Sequence, residues 1–387
     1  MMLLVWLVPA LFFLALALSG VYVYTRLLRL WGKTPRWPGR IVAAVVLVGI
    51  VGSIAATATS ASPVAGEIYV VAGHLLTFHL FLLMTLLVTH ALQKLGPLPP
   101  RPVAVTSLMI AAAFTAYGAI HASDFSVKRS MIELAGLEKP VNLMLISDVH
   151  VGHHRNGAYL KRIVDETNRA NVDLVLITGD LLDSAAAFKP GMLDSLKDLQ
   201  APAYYVIGNH EIDVDADRAT ALIATLGVRV LHNEQVQTHG LNLLGLDYMK
   251  ADEETFDMHP STKTETIRST LEGMHLPRAI PTVVMHHSPV GVQYVEKVGA
   301  ALMLAGHTHG GQMFPGTAFA SLTFPYNKGL YRYRSTQVFV TVGAGTFLQK
   351  SRIGTGNEID LITLAPEGTV DNVASTHSSA PESDRAM

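Results

Sequence analysis

Eleven polar residues, gathered in five short pieces of the chain, are of the types that ligate metal ions or support such ligands. ISDVH supplies Asp148 and His150, and TGDLLD supplies Asp180 and Asp183. IGNHE supplies Asn209, His210 and Glu211, MHHSP supplies His286 and His287, and AGHTH supplies His307 and His309. Carboxylates mixed with imidazoles suit borderline divalent ions such as Mn²⁺, Fe²⁺ or Zn²⁺. The chain has no cysteine, so thiolate nucleophiles, iron–sulfur clusters, Cys-type zinc sites and disulfides are excluded. So many donors exceed the needs of one tetrahedral ion. A carboxylate shared between two ions about 3.5–4 Å apart would clamp the attacking and leaving oxygens of a phosphoryl transfer.

Such donors must be brought together by the elements that precede them. VNLMLIS (141–147), VDLVLIT (172–178), AYYVIG (203–208), PTVVMH (281–286) and ALMLAG (301–306) are short apolar runs rich in branched residues, which predicts buried strands. Helix-compatible stretches at 157–170, 190–200 and 214–226 alternate with them, as in a layered α/β domain. In an α/β sheet the carboxyl ends of the strands meet at one rim, where ligands bind. Each ligand-bearing piece follows one of these strands. A leading strand is expected within 123–135, and LYRY (330–333), QVFVTVG (337–343) and EIDLITL (358–364) are expected in a second, more antiparallel sheet.

The first third of the chain has a different composition. Residues 1–120 hold seven Lys/Arg and one acid (Glu67), leaving 22 basic and 30 acidic groups for residues 121–387. Apolar stretches at 2–25, 41–59, 68–92 and 103–121 are each long enough to cross a hydrocarbon core of about 30 Å. The first loop carries Arg26, Arg29, Lys33, Arg36 and Arg40, the third Lys94 and Arg101, and the second (60–67) no positive charge. The positive-inside rule then predicts a multi-pass protein of the cell membrane with everything after residue 121 extracytoplasmic. His79 and His90 share a helix face but lie about 16 Å apart along it, too far to bind one ion, and are expected to hydrogen-bond between helices. The acidic remainder argues against a nucleic-acid partner, which would need a basic stripe. Residues 370–387, rich in Ser, Ala, Asp and Pro, are expected to be a disordered tail.

The ordered set DxH, GDxxD, GNHE, a later His and GHTH resembles the calcineurin-like metallophosphoesterases. The tail GHTHGGQMFPG…NKGLYRY…FVTVGAGT…NEIDLITL looks like the membrane-associated bacterial branch of that family. The resemblance covers about residues 123–369, so the expected organisation is four transmembrane helices (1–122), the catalytic domain (123–369) and the tail. The fold it implies is an N-terminal four-helix transmembrane region followed by an α/β metallophosphoesterase domain, a two-sheet β-sandwich flanked by helices. The resemblance further implies that Asp148, His150, Asp180 and His309 hold one ion, and that Asp180 bridges to a second held by Asn209, His287 and His307. His210 falls where the family keeps a histidine for the phosphate and leaving group. Asp183 and Glu211 match positions that orient the imidazoles. Only one of His286 and His287 can face the metals, since adjacent strand residues point oppositely, and the family's His-x-Pro spacing favours His287. Arg352 matches the arginine of the segment after the GxG turn.

Around the centre, His153 and His154 are expected as a solvated loop pair, and Tyr326, Tyr331 and Tyr333 as strand packing. Gly310 and Gly311 either present backbone amides to a phosphate or only make a turn. The activity expected is hydrolysis of phosphodiester or pyrophosphate bonds by a hydroxide bridging two divalent ions, manganese among the candidates. The expected partners are the lipid bilayer and a phosphorylated small-molecule or lipid-linked substrate. The alternatives are a non-catalytic membrane receptor or sensor on the same scaffold, which should have lost ligands, and a nuclease, which the acidic balance disfavours.

Overall fold

The computed structural model describes residues 2–255 and 264–369, with the side chains of the first helix described from Ala10 onward; the expected tail, 370–387, lies outside them. The apolar stretches form α1 (Met2–Leu30), α2 (Trp37–Thr57), α3 (Pro63–Leu95) and α4 (Pro100–His121), all long and apolar enough to cross a membrane. Proline in the first turn starts α2, α3 and α4, where its missing N–H costs nothing. Their outward residues, such as Val45, Val88 and Ile120, are exposed apolar side chains that a bilayer would solvate. The half-buried histidines of α3 behave as expected: His79 Nε2 lies 2.9 Å from Ser19 Oγ, and His90 Nδ1 lies 3.2 Å from Tyr22 Oη.

After α4 the chain builds two six-stranded sheets. In chain order the elements are β1 (Phe125–Leu134), β2 (Val141–Ile146), α5 (Gly157–Arg169), β3 (Leu174–Thr178), β4 (Ala203–Val206), α6 (Asn209–Val214) and α7 (Ala216–Thr225). There follow β5 (Arg229–Val230), β6 (Glu234–Thr238), β7 (Leu241–Gly245), α8 (Ile267–Glu272), β8 (Thr282–Met285), α9 (Val292–Lys297) and β9 (Leu302–Ala305). The last are α10 (Gly316–Thr323), β10 (Gly329–Tyr333), β11 (Thr336–Val340) and β12 (Asn357–Pro366). One sheet runs β1-β12-β2-β3-β4-β5 and the other β10-β11-β9-β8-β7-β6.

The strand sequences account for the sandwich. Leu143 and Leu145 of β2, Leu174 and Leu176 of β3, Val283 and Met285 of β8, and Leu302 and Leu304 of β9 meet in the layer between the sheets. Their neighbours point outward, Met144, Val175 and Ile177 toward α5 and α7, and Val284 and Met303 toward α8 and α9. A strand covered on both faces is apolar at every position, which is why these runs lack alternation.

Four expectations need correction. The five ligand-bearing strands do not share one sheet: β2, β3 and β4 lie in the first and β8 and β9 in the second. Strand β12, expected beside β10 and β11, inserts between β1 and β2, parallel to the former and antiparallel to the latter. The second sheet is mixed, with parallel pairing of β7–β8, β8–β9 and β9–β11. The stretch 190–200 is not an α-helix but contains a 3₁₀ turn, Asp194–Asp198. Its leucines, Leu193, Leu196 and Leu199, recur every three residues, which is the 3₁₀ period and not the α period.

Candidate metal centre

Both sheets present the carboxyl ends of their ligand-bearing strands at one edge, and the turns after them are tightly wound. Asp148, His150, Asp180, His307 and His309 all adopt left-handed backbone conformations, with φ of 52°, 55°, 49°, 71° and 51°. Such geometry costs a non-glycine residue about 1–3 kcal/mol and persists only where the surroundings enforce it. Here the enforcement is visible. The Glu211 carboxylate accepts from the backbone N–H groups of Asp180 (3.0 Å), Leu182 (2.9 Å) and Gly208 (2.7 Å). His150 N donates to Asp180 O at 3.0 Å, and His307 N donates to the Asp148 carboxylate at 3.1 Å. The glycines of GNHE and GHTH allow the close approach: a Cβ on Gly208 would lie 2.1 Å from Asp180 Oδ1, and one on Gly306 2.2 Å from Asp148 Oδ2.

The side chains converge as two connected groups. Asp148, His150 and His309 form one, with His309 Nε2 3.3 Å from Asp148 Oδ1 and 3.1 Å from His150 Nε2. Asp180, His287 and His307 form the other, with His287 Nε2 3.0 Å from Asp180 Oδ2 and 3.2 Å from His307 Nδ1. Asp180 Oδ2 also lies 3.9 Å from His150 Nε2, so this one oxygen stands between the groups. Asn209 is buried at the start of α6, with its Oδ1 lacking a hydrogen-bond partner among the described residues.

These residues fit divalent cations. The Asp183 carboxylate lies 3.2 Å from His150 Nδ1, and the Thr178 carbonyl lies 2.8 Å from His287 Nδ1. Both acceptors place the ring hydrogen on Nδ1, which aims the Nε2 lone pairs inward. Lone pairs from imidazoles, carboxylate oxygens and an orphaned amide oxygen then face one another in a buried space, an arrangement a cation satisfies.

The electrostatics agree. Burial disfavours a charged His287, yet Asp180 and then Asp148 overrule it and lift its pKa to about 9. Burial likewise opposes charge on His210, but Asp180 and Asp183 raise it to about 10. Burial would also raise Asp180, and the neighbouring His287 and His210 instead hold its carboxyl well below the usual range. Protons here occupy positions that bound cations would contest, and cations would push both histidines back down.

The structure separates His286 from His287. His286 Nδ1 sits 2.6 Å from Ser288 O, and its Nε2 accepts from Met249 N at 3.3 Å, so both nitrogens are engaged away from the centre. Burial lowers its pKa to about 4. His210 lies beside the centre, its side chain 19% exposed, with Nδ1 3.4 Å from Asp183 Oδ1 and Nε2 4.0 Å from Asp180 Oδ2. It also forms a ligand-like group with His150 and Asp180.

Other expectations shift. Asp183 does orient imidazoles, whereas Glu211 orients the backbone of the Asp180 turn. Gly310 N and Gly311 N donate to Thr308 Oγ1 and Thr308 O, so the glycine pair makes a turn. Arg352 is fully buried and donates to the carbonyls of His309, Val342 and Gly345, each at 2.7 Å. His153 and His154 are not solvated: both rings pack on Tyr69 of α3, and His153 Nε2 lies 2.9 Å from Thr57 O. Burial lowers His154 to about 3. Tyr326, Tyr331 and Tyr333 pack on the second sheet, as expected.

Two aromatic walls carry no signal in the motifs. Tyr248, after β7, lies 5.9 Å from the His287 ring and 6.0 Å from His307. Phe347 lies 5.4 Å from His309, 6.1 Å from His150 and 6.0 Å from His210.

A two-sheet α/β sandwich with paired Asp/His groups at its edge defines a metallophosphoesterase fold. Residues 141–311 match the model of the calcineurin-like phosphoesterase family, and the chain carries a domain of that family. It is 32% identical over 248 residues to an uncharacterized metallophosphoesterase of Helicobacter pylori, covering 62% of this chain and 64% of that protein. It is 29% identical over 282 residues to a transmembrane protein with metallophosphoesterase domain of Danio rerio, covering 67% of this chain and 62% of that protein. The chain thus spans just under two thirds of the length of these relatives. Among solved structures, a dimetal phosphatase of Danio rerio aligns with a TM-score of 0.36 at 12% identity, over 53% of this chain and 88% of that one.

Proposed function

We propose that this protein is a membrane-anchored hydrolase of phosphodiester or pyrophosphate bonds that works with two divalent metal ions. Phosphorylated small molecules and lipid-linked phosphates are its substrate classes. The observation that carries this reading is the place of Asp180 Oδ2, within 4.0 Å of His150 Nε2, His210 Nε2 and His287 Nε2 at once. In this reading Asp148, His150, Asp180 and His309 hold one ion, and Asp180, Asn209, His287 and His307 hold the other. Ions bound there supply an acidified water and neutralise charge on the phosphate. Asp183 keeps the His150 lone pair aimed inward, and Glu211 keeps the Asp180 turn wound. His210, held through Nδ1 by Asp183, protonates the departing oxygen from Nε2.

The domain works outside the cytoplasm. The seven positive charges cluster at the loops 31–36 and 96–99 and the helix ends beside them. The catalytic domain packs against the opposite end, which carries no Lys or Arg and where Ala185 N donates to Thr59 O at 3.1 Å. Detergent-purified protein should hydrolyse a phosphodiester or pyrophosphate ester, stop on chelation and resume with Mn²⁺. Absence of turnover on every phosphate ester at full metal loading contradicts the hydrolase. An alkaline-phosphatase-type reporter fused after residue 369 should be active, and silence there contradicts the orientation.

A further inference from the structure

The segment between the GHTH turn and β10 is unlike the rest of the catalytic domain's surface. Residues 313–327, MFPGTAFASLTFPYN, contain no charged side chain. They form α10 and its flanks, and they expose Phe314 (46%), Phe319 (68%) and Leu322 (87%). Three large apolar side chains on so short a stretch call for a partner that excludes water.

The fold places that partner. Met313, one residue before Phe314, is buried in an apolar cluster with Phe81 and Leu82 of α3 and Ala111 of α4. The same cluster takes in Ile353, whose carbonyl accepts from Phe314 N at 2.9 Å. Arg352 N donates to Gly118 O of α4 at 3.1 Å. Counting from Arg101 at the charged end of α4, a hydrocarbon core of about 30 Å extends about twenty residues, to the region of His121. Gly118 therefore lies at the membrane boundary, and the strand-like pair 313 and 353 meets the helices there. The chain enters α10 at Gly316, three residues after Met313 leaves this apolar cluster.

The same segment is strapped to the metal centre. A Cβ on Gly311 would lie 2.3 Å from Gly316 O, so α10 starts in contact with the turn that carries His309. Thr308 Oγ1 donates to Asn327 O at 2.6 Å, and Phe324 lies 6.4 Å from the His307 ring.

We propose that Phe314 and α10 are immersed in the adjoining lipid leaflet and form a lip between bilayer and metal centre, so that the site takes phosphate esters of amphiphiles whose tails stay in the leaflet. The substrate half of this inference rests on the hydrolase reading; the immersion half does not. Apolar side chains at an interfacial helix bury into the headgroup–acyl boundary, and a long acyl tail holds its phosphate at that depth.

The natural absence of cysteine makes the test direct. Nitroxide labels on Leu322→Cys and, separately, Phe319→Cys of the full chain in phosphatidylcholine/phosphatidylglycerol nanodiscs should relax with oxygen more than with an aqueous nickel chelate. A label on Glu272→Cys, exposed on α8, should show the reverse. Nickel-dominated relaxation at both α10 positions overturns the immersion. Dipolar broadening between labels of two copies overturns it too, by showing that a second molecule covers the face. For the substrate half, the parent protein should hydrolyse a hexadecyl phosphodiester in the nanodisc faster than its butyl analogue by roughly tenfold or more. That ratio should collapse toward one in Leu322→Asp. Equal rates in the parent overturn the amphiphile preference. Immersed labels with no hydrolysis of either ester leave the lip standing and remove the hydrolase reading.

Discussion

Asp183 Oδ1 lies 3.2 Å from His150 Nδ1 and 3.4 Å from His210 Nδ1, so one buried carboxylate holds two imidazoles at the centre. Neither the depth of that carboxylate nor its double role depends on a ligand of its own. Carboxylates that orient ligating histidines contribute about 10–100-fold to metal affinity. Asp183→Ala should therefore weaken metal binding by about that factor, as read by competition with a chelating dye. Asp183→Asn should recover part of it through the remaining amide oxygen. Unchanged affinity in Asp183→Ala would show that His150 is held by packing alone.

His210, like His307, is partly exposed at the centre. His210→Ala should keep its metal content while losing about 10²–10⁴-fold turnover on alkyl phosphodiesters. On a nitrophenyl ester, whose leaving group departs without a proton, the loss should be much smaller. Equal losses on both esters would make His210 a phosphate-positioning residue. Loss of metal would instead place it among the ligands, as its grouping with His150 and Asp180 allows.

Away from the centre, Asp360 on β12 gives a pH prediction. Burial, and then the neighbouring Glu358, raises its pKa from 3.8 to about 7. The folded protein thus binds a proton that the unfolded chain has released between those values. Stability contributed by this group is present at low pH and falls as pH rises from about 4 to about 7, by at most about 4 kcal/mol. Asp360→Asn should remove that slope and raise the melting temperature at pH 8 relative to the parent. A parent-like slope in the variant would contradict this assignment.

The ligands were legible because they follow apolar strands, and a strand's end is where a polar side chain can be buried and used. The distribution of strands between two sheets was not, because a run such as VNLMLI records that both faces are covered and not which strand lies beside it. The same limit hid the insertion of β12. His153 and His154 looked solvated because sequence places them in a turn, while their burial comes from Tyr69, more than eighty residues earlier. Phe347 reaches three histidines from a loop with no periodicity to announce it. The left-handed backbone of five ligands also leaves no mark on residue type, since tertiary hydrogen bonds such as those of Glu211 impose it.

The measurement that bears most directly on the two-metal account is the metal content of the purified full chain, by elemental analysis, beside that of Asp180→Ala. If Asp180 Oδ2 joins the two groups, the parent should carry about two divalent ions per chain. The variant should lose both ions together, along with phosphodiester turnover. A parent holding a single ion, or an Asp180→Ala protein that keeps two ions and full turnover, would contradict the account.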